Sequence, residues 1–518
     1  VGLTSLLISV AATAVRFPVP DIHDEFSYLL MADTFAQGRV TNPTHPGWKS
    51  LESFHVIQQP SYASKYPPAQ GVALAIGQVA CGHPIAGVWL STAFACAATC
   101  WMLQGWVPAR WAFWGGLLVA TCGSIQFLWG QSYWGGCVAM AGGALLYGAL
   151  PRLLRRPSLV HALCLAGGLI ILANSRPFEG LLVSLPVAAV LLGTWLIRGE
   201  VFRRDNLVKV VLPASVCLVM AGAAMGYYNR RVTGHALTMP YKVYQQTYSI
   251  ASVFVWKGVG EEPDYRHAVM RDFYRGYGLE QRREQTTLMK RIAGKEKLVW
   301  FFMTPFVIVS LVALPWTLRR PQMWFVVGVL VLVFAATLAV YACHAHYYAP
   351  AAPLVFLVAV HGLRYLRVWG HRRKITLGWL IPAMVTLHVV VFVSAANRYV
   401  HKPLNWAHVR DVIQRELEGT GGKHLVLVGY TPDHCGHEEW VYNRADLDSA
   451  PVVWAREMSP AEDLRLINVF PHRQVWLLNA DRTPRKLVPH AAAVDTENQP
   501  LAVDDRLRPS RGAGFPTN

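Results

Sequence analysis

The chain has 518 residues, of which 53% are hydrophobic and only 15% charged, and its net charge is +17. Soluble globular domains carry roughly a quarter of their residues as Asp, Glu, Lys or Arg. Here the apolar residues also come in long runs, which excludes an ordinary soluble enzyme, a disordered chain and a fibrous repeat. The positive charge fits nucleic acid, another anionic partner or membrane topology, and these differ in where the charges must lie.

A membrane helix needs about 20 apolar residues with few charges. Ten stretches qualify approximately: 84–105, 111–127, 133–150, 158–173, 180–197, 208–226, 298–317, 323–341, 351–368 and 375–394. Residues 1–15 are apolar but short and do not begin with Met. They are read as a first, eleventh span with its start trimmed. They do not read as a signal peptide, because no small-residue cleavage site precedes Arg16. Residues 69–81 are apolar but short and follow Pro67-Pro68.

Counting 69–81 as a span would reverse every later loop, so the Lys/Arg distribution arbitrates. With 69–81 on the membrane surface, the inner connections hold 15 Lys and Arg against two acids, Glu200 and Asp205. The short outer connections 128–132, 174–179 and 342–350 then hold only Arg176 and Glu179 as charged residues. The expected architecture is a polytopic α-helical membrane protein of about eleven transmembrane helices, spanning 1–394. Its N-terminus is cytoplasmic and its C-terminus periplasmic.

Large outer segments follow from this: loops 16–83 and 227–297, and the tail from 395. In the tail, 405–418 and 460–469 read as helices, and 424–430, 451–455 and 473–479 as strands. That alternation predicts a small C-terminal α/β domain over 395–493. The polar, Pro- and Gly-containing stretch 494–518 reads as disordered. Nine cysteines, mostly inside apolar spans, do not form a disulfide framework.

Most of the excess charge sits on the cytoplasmic side as an orientation signal, so nucleic acid drops out as a partner. The spans carry almost no ionisable groups apart from His161, His361 and His388, whereas coupled transporters place acids or bases at mid-depth. Polar residues gather at the outer surface, which favours chemistry at an interface.

Asp24 and Glu25 follow the first span at headgroup depth, and the apolar spacing of 26–37 predicts a helix lying flat on the membrane. A carboxylate there serves either as general base or as a cap for the helix. Lys65, in Ser64-Lys65-Tyr66-Pro67-Pro68, offers a cation to a phosphate or to lipid headgroups. Arg176 is the only basic residue of the short outer connections, and Glu179 is its nearest acid. His344 and His346 form an HxH with no evident third ligand, so substrate contact is favoured over metal. Aromatic turns around Trp129 to Trp134 and Tyr341 to Tyr348, including Tyr133 and Tyr347, suit a membrane interface or sugar stacking. The loop Asp433 to Glu439 is metal-like in residue type but reads as solvated.

The first span, the Asp24-Glu25-x-x-Tyr28 pattern with Ala32 one turn on, and the Lys65/Pro67-Pro68 element together resemble the GT-C glycosyltransferases. The branch in view holds the aminoarabinose transferase of lipid A and the bacterial protein O-mannosyltransferase-like enzymes. The resemblance runs to about residue 350, with Tyr66 standing between Lys65 and the two prolines. It implies transfer of a sugar from a polyprenyl-phosphate donor to a lipid, glycan or protein acceptor at the periplasmic face of the inner membrane, with inversion. It also implies Asp24 as base and Glu25 as its orienting partner. Lys65 and Arg176 would neutralise the leaving phosphate, and a divalent cation (Mg or Mn) is an optional cofactor. Tyr28, Tyr66, Tyr133, Glu179, His344, His346 and Tyr347 are the further candidate substrate contacts. Competing readings are a transporter or flippase of polyprenyl-linked sugars, and a non-catalytic envelope assembly protein.

Overall fold

The structure is a computed structural model that describes residues 1–341, 343–373 and 379–490. The stretch 494–518, expected to be disordered, lies outside the described residues, as do 375–378 at the start of the last expected span.

The chain opens with α1 (Gly2–Val15), α2 (His23–Ala36), α3 (Ala69–Cys81), α4 (Ile85–Trp106), α5 (Ala109–Ala120) and α6 (Gly136–Arg155). Among the described residues, six helices are long and apolar enough to cross a membrane: α4, α6, Pro177–Ile197, Arg204–Thr233, Ala349–Arg372 and Ile381–Val400. Four shorter apolar helices accompany them: α1, α3, Leu159–Ala173 and Pro321–Thr337. Each of the eleven expected segments is helical over at least part of its length. Two are interrupted, however. The 111–127 segment becomes α5 followed by a separate wide turn at Ile125–Trp129, and 298–317 divides into Pro305–Leu311 and Leu314–Thr317. Proline explains the second break, because Pro305 and Pro315 lack the N–H a continuous helix needs and sit at new helix starts.

The apolar core runs through α4, α6 and Leu159–Ala173, with the 348–360 stretch packed against them. Two glycines permit close approaches. A Cβ at Gly143 would overlap the backbone of Pro350, so α6 seats the turn that carries His344 and His346. A Cβ at Gly77 would likewise overlap the backbone of Gly87, which lets α3 lie directly on α4. The free face of α3 exposes Val72, Ile76 and Val79, an apolar stripe one helical turn apart that suits a membrane surface.

α2 departs from the expectation of a helix lying flat on the membrane. Phe26 and Leu30 pack into the tail, Met31 against the 227–297 loop, and Tyr28 and Ala32 against α3. Its apolar residues point in every direction, so protein covers it on several sides.

The tail builds a four-stranded sheet from β3 (His424–Gly429), β4 (Val452–Arg456), β5 (Gln474–Asn479) and β6 (Leu487–Pro489), in the order β4-β3-β5-β6. β1 (Val56–Ile57) and β2 (Ala63–Ser64) form a separate small hairpin in the first loop. β3 pairs in parallel with β4 and β5, and β6 antiparallel with β5. Helices Trp406–Thr420 and Pro460–Val469 lie close to their expected bounds. The Asp433–Glu439 loop is not simply solvated. Glu439 is fully buried, pairs with Arg456, and accepts a hydrogen bond from the Tyr430 hydroxyl at 2.6 Å. All nine cysteines are free.

Candidate active site

α2 begins with two acidic residues, and the structure separates their roles. No side chain caps its N-terminus. Glu25 is buried and reaches back along the chain, its Oε2 accepting from the Asp21 N–H at 3.0 Å and its Oε1 from the Tyr133 N–H at 2.9 Å. Burial, and then the neighbouring Asp21, push the Glu25 carboxyl up to about 8. Glu25 thereby fixes the Tyr133-Trp134 turn on α2.

Asp24 instead faces a polar cluster. Its Oδ1 accepts from the Tyr66 hydroxyl at 2.5 Å and lies 2.5 Å from His55 Nδ1, and its Oδ2 accepts from Trp134 Nε1 at 2.6 Å. Burial opposes the Asp24 charge, but the adjacent His55, the Lys65 ammonium and the Tyr66 hydroxyl outweigh it. The carboxyl is held well below its ordinary range. His55 is pushed down to about 4, first by burial and then by the Lys65 charge. One state at neutral pH meets both directions: an ionised Asp24 beside a neutral His55 that donates Nδ1–H.

His55 sits in the left-handed region at φ 62, which is costly for a residue with a Cβ. Three hydrogen bonds hold it there. Its N–H donates to Tyr244 Oη at 2.8 Å, and its carbonyl accepts from Ser27 Oγ at 2.6 Å and from the Lys65 N–H at 3.3 Å.

Lys65 is 6% exposed. Its ammonium lies over the rings of Tyr244, Tyr66 and Tyr241 at 4.6, 5.1 and 5.4 Å. Burial pushes it down to about 7, against the opposing pull of Asp24. Tyr28 stacks on Tyr66 with centroids 4.5 Å apart.

Arg176 has its guanidinium over the Tyr347 ring at 4.6 Å. Burial opposes its charge, but Tyr28, Tyr347 and Glu179 more than compensate and keep it cationic. No ion pair joins Arg176 to Glu179 among the described residues, although the two interact electrostatically. His346 and His344 lie 4.7 and 5.3 Å from the Trp134 ring. Both are pushed down, His346 by burial, Arg176 and His344, and His344 by burial and Arg176 against the pull of Asp24. They are neutral hydrogen-bonding groups at neutral pH.

Asp24, Tyr28, Lys65, Tyr66, Arg176, His344, His346 and Tyr347 are thus drawn into one neighbourhood. Tyr133 stands aside, its hydroxyl 3.4 Å from the Pro18 carbonyl, and its neighbour Trp134 is the residue that reaches Asp24. Sequence reasoning missed His55, Tyr241 and Tyr244, and read Trp134 only as part of an aromatic turn. The tyrosines had a faint signal, the i, i+3 spacing of Tyr241 and Tyr244 on helix Pro240–Tyr248. Among the described residues no group of three His, Cys, Asp or Glu converges as a metal-binding set, so a divalent cation has no evident donor set here.

No family model and no curated protein matches the chain. Among solved structures, ArnT from Cupriavidus metallidurans in the apo state matches at 12% identity with a TM-score of 0.51, covering 92% of this chain and 91% of that one. The apo oligosaccharyltransferase of Archaeoglobus fulgidus matches at 11% identity with a TM-score of 0.45, covering 92% of this chain and 69% of that one. At such identities likeness is a matter of fold, and the second is too loose to carry an argument. The first spans nearly the whole of both chains, and with it the chain has a GT-C-like fold.

Proposed function

We propose that this chain is a GT-C glycosyltransferase of the bacterial inner membrane that moves a sugar from a polyprenyl-phosphate donor to an acceptor at the periplasmic face. The observation that carries the reading is the ionised Asp24, held by three donors, in the same buried cluster as Lys65 and Arg176. An acceptor hydroxyl or amine attacks the anomeric carbon and forms the new glycosidic bond. The bond from that carbon to the phosphate oxygen breaks, and its electron pair stays on the phosphate. Attack opposite the leaving group inverts the anomeric centre. Asp24 takes the proton of the attacking group, while Lys65 and Arg176 stabilise the charge that develops on the phosphate. Aromatic rings of Tyr28, Tyr66 and Tyr347 suit the faces of the donor sugar. Orientation with the N-terminus inside rests on the Lys/Arg asymmetry of the connections.

Asp24→Asn tests the assignment. Turnover is expected to fall about 10²–10⁴-fold, the usual worth of a positioned base. Native mass spectrometry of the purified variant is expected to find the polyprenyl-phosphate sugar still bound. Unimpaired transfer by Asp24→Asn would remove the base from the reading. A wild-type protein that carries no polyprenyl lipid and transfers no sugar would remove the class. The transporter reading lacks support from the spans, whose ionisable residues are few.

A further inference from the structure

Beside the Asp24 cluster lies a second space, a cavity of about 580 Å³ between the first outer loop and helix Pro240–Tyr248. Binding pockets for small ligands occupy about 300–1,000 Å³, so a sugar ring fits here. Trp48, Tyr244 and Tyr248 supply aromatic surface, and Glu52, Gln58 and Arg266 supply polar groups.

The charges in this cavity cancel. Glu52 is 2% exposed, and its Oε1 accepts from the Tyr248 hydroxyl at 2.8 Å and from Arg266 at 3.1 Å. Its Oε2 lies 3.2 Å from His267 Nε2. Arg266 in turn covers the Trp48 ring at 4.5 Å. No net positive field remains to favour a phosphate, and the mixed polar lining does not suit a lipid chain. Gln58, also 2% exposed, uses its amide N–H on the Leu51 carbonyl at 2.7 Å, while its buried carbonyl oxygen has no hydrogen-bond partner.

Tyr244 joins the two spaces. It lines the cavity, accepts the backbone N–H of His55 and carries Lys65 over its ring. The cavity is therefore one side chain away from the partners of Asp24.

The geometry points to this cavity as the binding site for a neutral pyranose ring of the acceptor, held between the aromatic and polar side chains that line it. This rests on the transferase reading above, in which Lys65 and Arg176 take the donor's phosphate. The donor sugar shares the same chemistry, so the test must separate the two sources.

Saturation-transfer NMR on the full-length detergent-solubilised protein, with methyl β-D-glucopyranoside, methyl α-D-mannopyranoside and methyl β-D-arabinopyranoside as probes, reads sugar binding directly. At least one probe is expected to bind saturably. Thr247→Trp and, separately, Gln59→Trp fill the cavity from exposed positions on its rim. Each is expected to weaken binding about tenfold or more, equivalent to about 1.4 kcal/mol, with melting temperature unchanged. Native mass spectrometry of the same variants is expected to show bound polyprenyl lipid at the wild-type level. Absence of saturable binding in the wild type, or binding undiminished in both variants, overturns the assignment. Loss of lipid together with sugar overturns it in favour of the donor's sugar. Because the probe experiment needs no lipid, saturable binding in a wild type that carries no polyprenyl lipid keeps the carbohydrate site and fails only the transferase reading.

Discussion

At the scale of single residues, the site depends on His55 holding a conformation its side chain disfavours. Strain of this kind costs about 1–3 kcal/mol and persists where neighbours over-determine it, as Tyr244, Ser27 and Lys65 do here. Asparagine tolerates the left-handed region better than β-branched residues. His55→Asn is expected to keep the fold and to slow transfer about tenfold or more through loss of the imidazole donor. His55→Val is expected to cost a further 1–2 kcal/mol or so of stability, which detergent-phase thermal unfolding would measure.

Lys65 gives a pH dependence with a definite sign. Its charged form is present below about 7 and is lost above it. Donor binding through that ammonium is therefore expected to weaken as pH rises from about 6 to about 8. Lys65→Arg, which stays charged in proteins, is expected to flatten the profile. Measuring retention of the polyprenyl-phosphate sugar against pH in both proteins checks it, and identical profiles would dismiss Lys65 as the phosphate contact.

At the scale of elements, α3 shows how a helix too short to span still organises the site. Its buried face meets α2 and α4, and Gly77 lets its backbone touch that of Gly87. Any side chain there must push α3 away from α4, and with it the Lys65-Tyr66 turn that precedes it. Gly77→Val is expected to destabilise by about 1–3 kcal/mol, the usual cost of overpacking. Val72→Ala, on the exposed stripe, is expected to leave the melting temperature unchanged in detergent. That α3 is an apolar helix too short to span was legible from Pro67-Pro68 and the short apolar run. The burial of α2 was not, because 26–37 carries apolar residues on several faces and periodicity does not say which neighbour will cover each.

At the scale of the whole molecule, the tail is continuous with the site's scaffold. Phe26, Leu30, Val56 and Tyr62 of the first loop share one apolar cluster with the tail sheet and its helices. Tyr442 stacks on Phe26 at 4.2 Å, and its hydroxyl lies 2.7 Å from His23 Nδ1, next to Asp24. Breaking one member of a buried ion pair costs about 3–5 kcal/mol, because the other charge is left stranded. Glu439→Ala is accordingly expected to unfold the tail at a lower temperature than the wild type and to depress transfer along with it. Proteolysis of the tail with full retention of transfer would show that the two parts work independently.

The sequence by itself determined the elements and their environment. Long apolar runs marked the helices, and the alternation after residue 405 announced three strands and two helices of the tail. These signals are local, since hydrophobicity and periodicity act over a few turns of chain. Asp24, Lys65, Arg176 and the His344–His346 pair also stood out in the sequence as polar residues clustered at the outer surface. What only the tertiary structure decided was which side chains complete the pocket. His55, Trp134 and the cage of Tyr241 and Tyr244 come from separate segments, and no spacing rule relates residues joined only by the path of the backbone. The same holds for the two acids at the head of α2. They are adjacent in sequence, but successive helical residues point in different directions, so Glu25 secures a turn while Asp24 faces the pocket.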